Sequence, residues 1–183
     1  VRRTLVHLDR YGMAVWKQRN VTLAELDDIL PGPARGYVLV RAHMDGPFQH
    51  LGWLLEAAAK HGHSEVLVGV RKFARSVREA DMLCAEESYE SWPELELAVP
   101  LVAAEGPRLR VVATDWRAGS WGPKGGESRG RMATGARYEM NGRSTDDLRE
   151  LSRWMDDAPP RSIEADPAVP VKFVVAVLNQ LRK

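Results

Sequence analysis

The chain has 183 residues, 44% of them hydrophobic and 28% charged, and its 26 basic and 25 acidic side chains leave a formal net charge of +1. That composition is ordinary for globular protein and supplies one large core or two modules of about 80 to 90 residues each. A charge balance this even gives no global pull toward nucleic acid or anionic lipid. A single cysteine, Cys84, excludes an internal disulfide framework and a four-cysteine zinc site, and reads as a small buried apolar side chain. No run approaches the ~18 apolar residues of a membrane span, and Val1-Arg2-Arg3 is not followed by a signal-peptide core. The sequence opens on Val, so a targeting or membrane segment ahead of it fits the reading.

In chain order, Leu5 to Leu8 and Met13 to Trp16 flank Asp9-Arg10-Tyr11-Gly12, a connection with turn chemistry, and predict a β-hairpin. Thr22 and Glu25 have capping-box spacing, and Leu26, Ile29 and Leu30 give the helix that follows one apolar stripe. Val38 to Ala42 is β-like. A turn through Pro47 then leads to a helix whose Leu51, Leu54, Leu55 and Ala58 stand at i, i+3, i+4 and i+7 and which stops at His61-Gly62. Glu65 to Val70 is a further strand.

This order then recurs. Laid over itself with a shift of 123 residues, Ala42 falls on Ala165, Pro47 on Pro170, and the second helix on Val174, Val177, Leu178 and Leu181. Upstream the shift is 122, which pairs Thr22-Glu25 with Ser144-Asp147, a weaker capping box before Leu148, Leu151 and Met155. A second hairpin is predicted from Leu109–Trp116 and Arg137–Met140, joined by a mobile Gly-rich loop at 118–136. The last strand of the first copy has no counterpart before Lys183. Glu94 to Val99 alternates as a half-buried strand and is the one internal substitute.

The expected fold is therefore α+β, with two tandem ββαβαβ-like modules, each a mixed sheet with two helices packed on one face. The boundaries are residues 1–73 for the first, 74–93 for a connecting segment with a short helix near 77–87, and 94–183 for the second.

Candidate chemistry is thin. His43, His50, His61 and His63 lack Cys₂His₂ or HExxH spacing, and the last two flank a helix stop, so no metal is expected. Glu86-Glu87 and Asp156-Asp157 sit in charged segments without a nearby nucleophile motif and read as solvated faces. In Gly122 to Glu127 the Lys is followed by Gly-Gly, not by Ser or Thr opening a helix, so it is no phosphate loop. No catalytic or cofactor-binding residue is assigned and no cofactor is expected. Trp116, Arg117, Trp121, Arg129 and Arg131 cluster around that loop as a candidate partner contact, since Trp and Arg are enriched in interface hot spots. Trp53 is expected to pack against the sheet.

Both copies resemble the periplasmic domain of the ExbD/TolR family. In the second the likeness rests on Asn141-Gly142, Leu148, Ile163-Glu164-Ala165-Asp166, Pro170 and the stripe from Val174 to Leu181. In the first it rests on Gly12, Val21-Thr22-Leu23, Leu26, Val38 to Ala42, Pro47, Leu51, Leu54 and Gly62, with His43 standing where the family shows Asp. The resemblance implies a non-enzymatic subunit of a proton-motive-force-driven inner-membrane motor or transport complex. Its periplasmic domain, anchored by an N-terminal helix not contained in this sequence, would pass motion from an ExbB/TolQ-like proton channel to a TonB-like or other envelope protein, or to peptidoglycan. Fusion of two copies points to an intramolecular pseudo-dimer held at high effective concentration, with a homodimer as the alternative. Two other classes are open: a structural ring-building or scaffold module of a secretion or envelope machine, and, less in keeping with the motifs, a small periplasmic hydrolase.

Overall fold

A computed structural model describes residues 2–9, 14–71, 94–100, 105–120 and 129–181. The connecting segment with its expected helix, Cys84, Glu86-Glu87, the Asp9–Gly12 turn beyond Asp9, and Trp121 to Glu127 lie outside these residues.

The first half opens with β1 (Arg2–Leu8), whose side chains alternate between exposed and buried faces. It pairs antiparallel with β2 (Ala14–Trp16), which turns back into β3 (Arg19–Val21). Lys17 and Gln18 make this two-residue turn with φ of 49° and 63°. Two positive φ values match the twist of a tight hairpin, a conformation L residues adopt only at a cost. Helix α1 (Leu23–Ile29) follows with the expected cap in full: Glu25 N–H donates to Thr22 Oγ1 at 3.2 Å and Thr22 N–H to Glu25 Oε2 at 2.7 Å.

Strand β4 (Gly36–Ala42) runs parallel to β1 over seven residue pairs. Helix α2 (Phe48–Lys60) returns across the sheet, burying Leu51, Leu54 and Ala58. It ends in a Schellman motif: Gly62, at φ 87°, donates to Ala59 O and His63 N–H to Ala58 O, which satisfies the carbonyls of the last turn. Strand β5 (Glu65–Arg71) then pairs parallel with β4.

Strand β6 (Glu94–Pro100) is hydrogen-bonded antiparallel to β5 along its whole length, so the first sheet has the order β3-β2-β1-β4-β5-β6. The sequence grouped this segment with the second half. Its ladder belongs to the first.

In the second half, β7 (Arg108–Ser120) and β8 (Arg129–Met140) form a hairpin whose pairing continues to Ser120 and Arg129. Most of the expected loop at 118–136 is thus ladder. The backbone supplies those hydrogen bonds whatever the side chains, so glycine content misleads there. Strand β8 turns through Asn141 (φ 52°) and Gly142 (φ 75°) into β9 (Arg143–Thr145), the same tight turn as at Lys17-Gln18 but with suitable residues.

Helix α3 (Leu148–Asp157) is capped by Asp147, which accepts from Arg149 N–H at 2.8 Å. The expected cap at Ser144 is corrected: Ser144 lies in β9, and the short third strand consumes the intervening residues. Leu151, Trp154 and Met155 are buried, Trp154 having escaped the predicted stripe. Strand β10 (Ser162–Ala165) runs parallel to β7, and α4 (Val171–Leu181) closes the chain. The second sheet has the order β10-β7-β8-β9.

The protein is thus a mixed α/β structure with two mixed sheets and, among the described residues, four helices. Each half has a third short strand before its first helix that the sequence reading did not include. Helix α4 buries Val171 and every residue from Val174 to Asn179, not a single stripe. A helix apolar all round is an interior helix: α4 contacts α3 of its own half, and α2 and β6 as well. One continuous apolar cluster, from Val6 to Leu178, runs through both halves.

Candidate functional site

The site begins with a problem common to all helices: their first N–H groups have no acceptor within the helix. Pro47 and Pro170 precede α2 and α4 and carry no side-chain oxygen to cap them. The two turns solve this for each other. Phe48 N–H donates to Val169 O at 2.8 Å and Val171 N–H to Gly46 O at 2.9 Å. Gln49 N–H donates to Pro167 O at 2.9 Å and Lys172 N–H to Met44 O at 3.0 Å. An antiparallel bridge joins Pro47 to Pro170 between them. Shifted by 123 residues, each of these bonds becomes its partner, so the four form two reciprocal pairs around the two prolines.

The side chains break this symmetry. Lys172 Nζ, mostly buried, donates to Asp45 Oδ1 at 2.9 Å. The corresponding positions, Gln49 and Ala168, hold no carboxylate. There a half-open cavity of about 200 Å³ lies at the junction of the halves. Pro47, Pro167, Ala168, Met132 and Ala133 supply its apolar walls, and Asp45, Gln49 and Arg131 its polar groups.

Successive strand residues point to opposite faces. The cavity nonetheless touches three successive residues of β8, Arg131, Met132 and Ala133.

The four motif positions have distinct fates. Pro47 and Pro170 form the bridge. Asp166 extends the β7 edge where β10 ends: its own N–H donates to Val111 O at 2.9 Å, and its carboxylate accepts from Ala113 N–H at 3.1 Å and from Arg110 Nη2 at 3.1 Å. His43 matches it in the backbone, donating to Leu8 O at 2.8 Å, but its Nδ1 accepts from Asp45 N–H at 3.2 Å within its own turn.

Of the candidate contact residues, Trp116 is 42% exposed, and Arg117 and Arg131 are also exposed on the ribbon that β7 and β8 extend beyond their neighbours. Arg129 opens β8, and its side chain lies outside the described residues, as does all of Trp121. Arg131 alone of the five lines the cavity.

The histidines are dispersed. His61 Nε2 is 3.1 Å from Asp27 Oδ1, tying α2 to α1, and His63 Nε2 is 2.6 Å from Pro31 O. Burial lowers the pKa of His50, opposed by the charge of Asp9, and its buried Nε2 has no hydrogen-bond partner. Trp53 meets the His50 ring edge-on at 5.0 Å and is 37% exposed, so its expected place in the core is corrected. Among the described residues no three His, Cys, Asp or Glu side chains converge as a metal site would require, and no helix is long and apolar enough to cross a membrane.

Comparisons with protein-family models, with curated proteins and with solved structures found no match. The cavity residues other than Pro47 and Arg131 escaped the sequence reading. The usable signal was the self-alignment, which already set Asp45 against Ala168 and Gln49 against Lys172, the two places where the turns differ in chemistry.

Proposed function

We propose that this chain is the tandem periplasmic part of an ExbD/TolR-like subunit of a proton-motive-force-driven inner-membrane complex, acting by protein contact and not by catalysis. In this reading the two halves are copies of one module. The order β3-β2-β1-β4 with its parallel β1–β4 pair answers to β9-β8-β7-β10 with its parallel β7–β10 pair. The observation that carries it is the reciprocal capping of α2 and α4, since a shift of 123 residues exchanges all four bonds, as a pseudo-two-fold axis requires. Strand β6 supports the same reading. It lies antiparallel to β5 and against α4, where a symmetric partner's last strand would lie beside its own second helix.

A relay of motion needs a stiff body, and the continuous core together with the mutual caps supplies one. The exposed Trp116, Arg117 and Arg131 on the β7–β8 ribbon are the surface assigned to an envelope partner.

The test is co-expression of the full-length protein with an ExbB/TolQ-like channel subunit from its own genome. The expected result is a stable complex in which cross-links from a cysteine at position 117 change when a protonophore collapses the gradient. Purification without any polytopic partner, with cross-links indifferent to the protonophore, overturns the assignment. A closed ring of the protein alone would then favour the scaffold class.

A further inference from the structure

We infer that the cavity between the two halves is a binding site for a small apolar monocarboxylate, with a body about the size of a phenyl ring or a short alkyl chain. The size comes from the volume. A cavity of about 200 Å³ exceeds the ~150 Å³ apolar space known to admit benzene and falls below the ~300–1,000 Å³ of sites for larger ligands. The side chains of Pro47, Pro167, Ala168 and Met132 offer that body carbon surface.

The sign of the ligand's charge follows from the groups at the mouth. Asp45 is already held by Lys172 at 2.9 Å. Arg131 is exposed and makes no ion pair among the described residues, so its guanidinium fork is open to a carboxylate. Gln49 gives its backbone N–H to Pro167 O, which leaves its side-chain amide as a second donor beside it. The local balance of Arg131, Lys172 and Asp45 is one positive charge, so a cation is disfavoured. A ligand placed here touches the turns of both halves and β8, and so bears on one of the places where the halves hold each other. The inference stands on the cavity alone and does not depend on the motor assignment.

The experiment is titration of the ¹⁵N-labelled protein with benzoate, hexanoate, benzyl alcohol and benzylamine, followed by NMR. The expected result is saturable shifts at the amides of Gln49, Met132, Ala133 and Ala168, with a dissociation constant of about 1 mM or tighter for the carboxylates. Binding of the alcohol should be at least tenfold weaker, and of the amine weaker still. Arg131→Gln should weaken benzoate at least tenfold and leave benzyl alcohol unchanged, and Ala168→Leu, which fills the cavity, should abolish both. Absence of saturable shifts, or benzylamine binding as well as benzoate to the unaltered protein, overturns the proposal whatever the variants do.

Discussion

Asp166 is the residue at which a structural role and a functional one make different forecasts. Its carboxylate accepts the part-buried Ala113 N–H at 3.1 Å and pairs with the half-exposed Arg110 at 3.1 Å. Replacing it by Ala leaves that N–H without an acceptor, which costs about 1–3 kcal/mol, and removes an exposed ion pair contributing about 0–1 kcal/mol. A total near 2 kcal/mol follows. Asp166→Asn keeps an oxygen for Ala113 and loses only the pair, so its cost stays within about 1 kcal/mol, as does that of Arg110→Ala. With a urea dependence of about 2 kcal/mol per molar for a chain of this size, Asp166→Ala should lower the unfolding midpoint by about 1 M and the other two by less than about 0.5 M. Equilibrium unfolding followed by circular dichroism reads this directly. If Asp166→Asn were as damaging as Asp166→Ala, the charge and not the edge hydrogen bond would be what matters, and the structural account would be wrong.

Three further outcomes are expected. Gln18→Gly relieves a positive φ at a net gain of about 0.5–1 kcal/mol, after allowance for glycine's greater freedom in the unfolded chain, while Gly142→Gln loses a similar amount; thermal unfolding should show opposite shifts. Burial pushes the Tyr138 phenol up to about 12 from its ordinary 10. The unfolded phenol ionises first, so stability is intact below pH 10 and falls as pH rises toward 12; Tyr138→Phe should flatten that alkaline limb of the unfolding midpoint against pH. The amides of Phe48, Gln49, Val171 and Lys172 should share one hydrogen-exchange protection, within about tenfold, because each pair of bonds opens only when the two turns part. Independent exchange of the α2 and α4 amides would show that the halves are not held as a unit.

The parts of this fold that declare themselves in sequence are those governed by local chemistry. Thr22 and Glu25 cap α1 as their spacing demands, and Gly62 ends α2 where a positive φ is needed. What escaped depends on partners far along the chain. The cap at Asp147 was missed because β9 is only three residues long, and strands that short are fixed by the turn at Asn141-Gly142 more than by their own pattern. The pairing of Gly119 with Gly130 needs no side chains, so periodicity cannot report it. The valines of α4 suited a stripe as well as an interior helix until α2 and β6 were seen against it. Of the candidate site, Pro47 and Arg131 were singled out and the walls were not, since Ala133 and Ala168 carry no chemistry of their own.

Strand β6 has a consequence for how the polypeptide is divided. It is covalently continuous with the second half, yet its hydrogen bonds are to β5. A backbone cut anywhere between Arg71 and Glu94 would therefore not release two independent pieces. The fragment beginning at Glu94 would still hold the other by a seven-residue antiparallel seam, the crossed helix caps and a common core. Expressed separately, the two fragments should find each other and recover one cooperative unfolding transition, whereas a cut placed just after Pro100 would keep β6 on the same piece as β5 and leave the second piece held by the caps and packing alone.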